Sequence, residues 1–125
     1  DFGDMMLRGD KAAGYIRADW FTPDGLDVFG DGRTFILGTD GYIEIRKTID
    51  IAGRPGGNHV LLVDEKGPRY IDCQDQPLPY GQQLVDDVLN RTHTADDQSA
   101  VFLAMEIALR AEQQAQRLRL AQALH

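Results

Sequence analysis

Residues 29–47 read FGDGRTFILGTDGYIEIRK, and the alternation inside them points to the fold class. Thr34 to Leu37 is a short apolar and β-branched run. Tyr42 to Lys47 alternates, with Ile43 and Ile45 on one side and Glu44 and Arg46 on the other, the period of a strand with two unlike faces. Between them lies Gly38-Thr39-Asp40-Gly41, turn chemistry that suits a four-residue hairpin loop, with both glycines available for positive φ. An antiparallel pair is expected here. Just upstream, Gly30-Asp31-Gly32-Arg33 sets one acid and one base on a glycine-flanked lip at the mouth of the first strand. Polar lips at sheet ends are where ligands often sit.

Upstream of the hairpin, Gly14 to Phe21 alternates, with Ile16, Ala18 and Trp20 opposite Tyr15, Arg17, Asp19 and Phe21, and Thr22-Pro23-Asp24-Gly25 turns it. Arg17 and Asp19 share a face, either as a solvated or cross-paired couple or as a sugar-binding pair beside Trp20. Asp1 to Ala13 is mixed around Met5-Met6-Leu7 and reads either as an incoming strand or as the tail of an earlier element. Downstream, Gly53 to Asn58 is an irregular connection, His59 to Val63 is a strand, Glu65-Lys66-Gly67-Pro68 turns, and Arg69 to Cys73 returns. Phe35-Ile36-Leu37 and Val60 to Val63 are apolar on both faces of their strands, so each face of the sheet needs a cover.

Pro77 and Pro79 end the sheet section. Gln82 to Leu89 then places Leu84, Val85, Val88 and Leu89 at helical spacing. Thr94 and Asp97 resemble a capping box, and a second helix is predicted over Ala100 to Leu124 with Val101, Ala104, Met105, Ala108 and Ala111 as its stripe. The polar tail from Gln113 is expected to fray or to dock a neighbour. Asn90-Arg91-Thr92 matches a glycosylation sequon but reads as a helix end.

At 125 residues the chain is expected to be one domain that buries roughly two thirds of its unfolded surface. A net charge of -7 and a pI near 4.7 argue against a nucleic-acid partner or an anionic membrane surface. No apolar run approaches the roughly 20 residues of a membrane span, and no signal peptide is visible. Because the chain opens on Asp1 rather than methionine, its start reads as a cut and the chain as a fragment. The single cysteine, Cys73, reads as a small sheet residue rather than a nucleophile. His59, His93 and His125 lack ligand spacing, so no metal site is expected. Gly30 and Gly32 begin a dinucleotide fingerprint, but Phe35 stands where its third glycine belongs and a strand follows. No cofactor-binding residue is therefore expected in this chain.

Taken in order, Tyr15 to Phe21, Thr22-Pro23-Asp24-Gly25-Leu26, Gly30-Asp31-Gly32-Arg33 and Leu37-Gly38-Thr39-Asp40-Gly41-Tyr42-Ile43-Glu44-Ile45-Arg46 resemble the C-terminal domain of the Gfo/Idh/MocA oxidoreductases, the glucose-fructose oxidoreductase and inositol dehydrogenase family. So does the ending, where Asp87-Val88-Leu89-Asn90-Arg91-Thr92 leads into a helix with Ala108-Leu109-Arg110-Ala111. The resemblance spans nearly the whole chain, and its most specific part is the hairpin turn.

What the resemblance implies is an α+β domain: an open, mostly antiparallel β-sheet with helices packed on one face and a long C-terminal helix. It also implies an upstream Rossmann domain that binds NAD or NADP, a homo-oligomer through the exposed sheet face, and a sugar, cyclitol or related hydroxy compound as substrate. The family's cofactor fingerprint, its lysine in a Glu-Lys-Pro motif and its catalytic histidine have no counterpart here, so no catalytic residue is carried over. In relatives the approach to the central hairpin lies near the pocket, which makes Asp31 and Arg33 the candidate substrate-binding residues, with Trp20 and Arg17 behind them. An acid and a guanidinium can divide a polyol between acceptor and donor roles; the same pair can equally be an ion pair bracing the hairpin. The expected compartment is the cytoplasm. The alternative function is a non-catalytic, sheet-based binding or scaffold module, motivated by the spare apolar face.

Overall fold

Strand pairing begins where the alternation does. The computed structural model describes residues 2–117 and divides after Pro77 into two compact units. In the first, β1 (Phe2–Arg8) and β2 (Ala13–Asp19) form an antiparallel hairpin, registered from Phe2 opposite Asp19 to Arg8 opposite Ala13. The mixed opening segment is thus a strand. A second sheet takes β3 (Gly32–Leu37), β4 (Tyr42–Lys47), β5 (Asn58–Asp64) and β6 (Gly67–Asp72) in chain order, every neighbour antiparallel. The class is α+β with open antiparallel sheets, as expected, but the strands fall into two sheets.

Register fixes what each face of the larger sheet carries. Arg33, Phe35 and Leu37 lie opposite Arg46, Glu44 and Tyr42, which lie opposite His59, Leu61 and Val63; Tyr70 continues the row from Leu61. This face mixes aromatic, charged and aliphatic groups. The other carries Ile36, Ile43, Ile45, Val60, Leu62 and Ile71 and is aliphatic through its middle. Among the described residues no apolar side chain is buried; Phe35 keeps 56% of its surface exposed and Leu37 80%.

Two turns depart from expectation. Of the two hairpin glycines only Gly41 has positive φ, and a Cβ there would stand 2.2 Å from the Val63 carbonyl oxygen, so close approach of β5 requires glycine. Gly38 instead donates its N–H to Gly41 O at 2.9 Å. The β5–β6 connection is Glu65-Lys66 alone, with Gly67 and Pro68 already in the strand. Proline is tolerated there because β6 is an edge and need not donate outward.

The second unit holds α1 (Tyr80–Asn90) and α2 (Gln98–Gln114). Arg91 closes α1 in the left-handed region, so the sequon is a helix end. Thr94 is not the cap of α2. Its N–H and that of Ala95 reach the Asp87 carboxylate at 2.7 and 2.9 Å, and Asp97 caps the helix through the Ser99 N–H. Donation from Thr92, Thr94 and Ala95 holds the Asp87 carboxyl well below the usual carboxylate range. α2 ends at Gln114 rather than running on to Leu124, and the expected tail beyond 117 lies outside the described residues. No residue of either helix is buried: of the expected stripe on α2, Val101, Ala104, Met105 and Ala108 are exposed and Ala111 is half-buried.

Candidate functional site

Two constellations stand out, both in the first unit. The first follows β2. Trp20 and Phe29 meet edge to face with centroids 5.6 Å apart, and with Phe2, Ala18, Asp19 and Gly30 they line an open groove of about 540 Å³. Trp20 is 70% exposed, so the groove has an aromatic wall without a packed lid. Arg17 donates its Nε to Asp19 Oδ2 at 2.9 Å and lies over the Phe2 ring, so it braces the groove from behind. The Asp19 carboxyl is lowered from its ordinary value by the Phe21 N–H and then by Arg17.

At the groove's Gly30 wall the chain enters the lip. Asp31 Oδ2 accepts from Arg33 Nε at 3.0 Å and from Nη2 at 2.5 Å, and this pairing raises the guanidinium above its ordinary value. Asp31 Oδ1 is shielded from solvent and has no donor among the described residues. A shielded acceptor without a donor is costly, and a ligand hydroxyl would satisfy it. Of the four candidates, then, Asp31 and Arg33 are joined to each other, Trp20 lines the groove, and Arg17 stands outside it on Asp19.

The second constellation was not anticipated from sequence. On the mixed face of the larger sheet, Arg46 donates Nε to Glu44 at 2.6 Å and Nη1 to Asp50 at 2.5 Å, while Arg54 reaches the other Asp50 oxygen at 2.9 Å. Arg54 lies over the Tyr70 ring, 4.7 Å from its centroid. The Tyr70 hydroxyl is 2.7 Å from His59 Nδ1, and His59 Nε2 is 2.9 Å from the Gly56 carbonyl oxygen. A carbonyl only accepts, so Nε2 carries the proton, and in the neutral ring Nδ1 accepts from the tyrosine. Asp50 and His59 are the buried side chains of the described residues. The available signal was His59 heading an apolar strand, a polar group where both faces asked for apolar ones.

Chemically the two sites differ. The polar network has its charges paired within itself, so its geometry is that of a brace. The groove has an aromatic wall, and Asp31 and Arg33 do not line it but follow its Gly30 end along the chain; a wall of this kind suits a ligand with an apolar ring face. Neither site has the parts of a nucleotide cradle: Gly30 and Gly32 lead into β3, so no helix start follows to receive a pyrophosphate. Among the described residues no group of three His, Cys, Asp or Glu side chains is placed to hold a metal ion, and no helix is long and apolar enough to cross a membrane.

The chain is thus an α+β chain with open antiparallel sheets and an aromatic groove beside an ion-paired lip. A crystal structure from Erwinia carotovora atroseptica SCRI1043, described as a "putative oxidoreductase", is similar to it: 46% of residues are identical, the TM-score is 0.87, and the match covers 95% of this chain and 36% of that one. The likeness is that of one part of a larger oxidoreductase chain. No family model matches the chain, and no curated protein does.

Proposed function

We propose that the chain is the C-terminal, substrate-binding and oligomerisation domain of a cytoplasmic NAD- or NADP-dependent oxidoreductase of the glucose-fructose oxidoreductase and inositol dehydrogenase family, acting on a sugar, cyclitol or related hydroxy compound. The observation that carries this reading is the 46% identity to 36% of an oxidoreductase chain, a match that leaves most of that chain for other domains. The nicotinamide cofactor would supply hydride transfer from outside this domain. Within it, the Trp20 and Phe29 rings offer an apolar wall to the C–H face of the substrate, and Asp31 Oδ1 accepts from one of its hydroxyls. Arg33 holds Asp31 in place through the paired hydrogen bonds, and Arg17 steadies the groove through Asp19.

The test is steady-state oxidation of a panel of cyclic polyols by the full-length protein with NAD or NADP. Asp31→Ala is expected to raise the substrate KM roughly 10- to 100-fold while leaving the nicotinamide KM unchanged. Equal loss in both constants, or none, removes Asp31 from the substrate site. Hydride transfer by the 125-residue chain alone would contradict the assignment of chemistry to another domain.

For assembly, composition distinguishes the two faces of the larger sheet. Phe35, Tyr42, Tyr70, Arg46 and Arg54 give the mixed face the aromatic and arginine content of protein interfaces, with its charges already paired. The opposite Ile, Val and Leu face has the composition of a domain interior. We assign the mixed face to a second copy and the aliphatic face to an internal cover.

A further inference from the structure

The lip that carries Asp31 is flanked by Gly30 and Gly32, and left to itself such a segment has little reason to hold one shape. Among the described residues one side chain from elsewhere hydrogen-bonds to its backbone. Thr48, immediately after β4, donates its hydroxyl to the Gly30 carbonyl oxygen at 2.7 Å, a proton it shares with the carbonyl oxygen of Lys47. It does so from a backbone conformation with φ 73°, the left-handed region that a β-branched residue rarely adopts. That conformation is fixed from both sides. The Thr48 N–H donates to Gly57 O at 2.7 Å, and Gly57 packs so closely that a Cβ on it would come 3.2 Å from the Thr48 carbonyl oxygen. Glycine or asparagine would sit at this φ with less strain, yet neither carries a hydroxyl at this point.

We propose that Thr48 is a positioning residue: its strained backbone aims the hydroxyl at Gly30 and so sets where the Asp31–Arg33 pair stands relative to the Trp20–Phe29 wall. The inference rests on the groove as the substrate site, but the tether itself can be read without any substrate. Gly30 is both the acceptor of the Thr48 hydroxyl and a wall of the groove, and Phe29 beside it touches Trp20. Trp20 is the single tryptophan of the chain, so its emission reports this neighbourhood alone.

Thr48→Val keeps the β-branch and removes the hydroxyl, Thr48→Ser keeps the hydroxyl, and Thr48→Gly relieves the backbone while removing it. In the purified chain, Val and Gly are expected to speed hydrogen exchange at the Gly30 amide roughly ten-fold and to shift Trp20 emission, with Ser close to the parent. Thr48→Gly gives the decisive contrast, because relief of strain offsets the lost bond: its melting temperature stays within a few degrees while the lip loosens. Exchange at Gly30 unchanged in both Val and Gly overturns the tether. So does loosening that appears only in proportion to a fall in melting temperature, since that is a general loss of stability. In the full-length protein Thr48→Val should raise the polyol KM roughly ten-fold and leave the nicotinamide KM alone, with Ser restoring it. If the lip loosens as expected but no polyol is oxidised by the unmodified protein, the tether stands and the oxidoreductase reading falls.

Discussion

Replacing Asp50 by asparagine lowers the melting temperature of the chain by on the order of 10 °C. Its carboxylate, with no side-chain surface exposed, accepts from Arg46 Nη1 at 2.5 Å, Arg54 Nη1 at 2.9 Å and the Ala52 N–H at 3.0 Å. An amide offers one acceptor oxygen and turns N–H donors toward the remaining guanidinium, so one cation loses its partner and meets a donor instead. The loss spreads, because Arg54 covers Tyr70 and Tyr70 holds His59. Acid titration gives the same residue a second signature. Arg54, the Ala52 N–H and Arg46 hold the Asp50 carboxyl far below its ordinary value near 3.8. A folded-state pKa depressed in this way contributes stability that is present above the unfolded value and is lost as pH falls toward the folded one. Melting temperature should therefore drop on acidification below about pH 4, and the drop should be shallower in Asp50→Asn, with Asp87 keeping the slope from vanishing. Parallel acid slopes in the two proteins would show that Asp50 titrates no differently folded and unfolded.

The parts of this structure that were legible beforehand are those whose cause is local. Ile43, Glu44, Ile45 and Arg46 alternate within one strand, and the central hairpin follows from them alone. β1 is obscured because Asp4 and Arg8 share a side with Phe2 and Met6, and the opposite side offers only Met5 and Leu7 beside Gly3; pairing with β2 makes it a strand. Thr94 has the right spacing to cap α2, but Asp87 claims it first from seven residues back, across the end of α1. Arg46, Asp50 and Arg54 are spaced like a helical charge ladder although the segment is a strand end and a turn, so their meeting with Tyr70 and His59 is a product of tertiary structure. The candidate site divides in the same way. Trp20 and the acid–base lip are visible as residue types in order, whereas Asp31 giving Oδ2 to Arg33 and keeping Oδ1 free depends on side-chain geometry. Thr48 had no local signal at all, since nothing in its neighbours asks for positive φ.

Adjacent leucines in β5 should separate assembly from folding. Leu61 lies opposite Glu44 and Tyr70 on the mixed face, and Leu62 lies opposite Ile43 on the aliphatic one. Because successive strand residues point to opposite sides, an aspartate introduced at each position samples a different face with the same chemistry. If the mixed face meets a second copy, Leu61→Asp buries an unpaired charge only when the copies associate. Light scattering over a dilution series should then show self-association weakened by roughly 100-fold or more, with the melting temperature of the dissociated chain little changed. Leu62→Asp places the charge against Ile36, Ile43 and their neighbours, where an internal cover has to pack. Its expected result is loss of the cooperative melting transition, not a folded monomer. The reverse pattern, a folded monomer from Leu62→Asp and an unchanged assembly from Leu61→Asp, would exchange the roles of the two faces. Unchanged mass in both variants would remove the sheet from the interface, because no antiparallel face can accept an unpaired carboxylate at its centre and still pack dry against a partner.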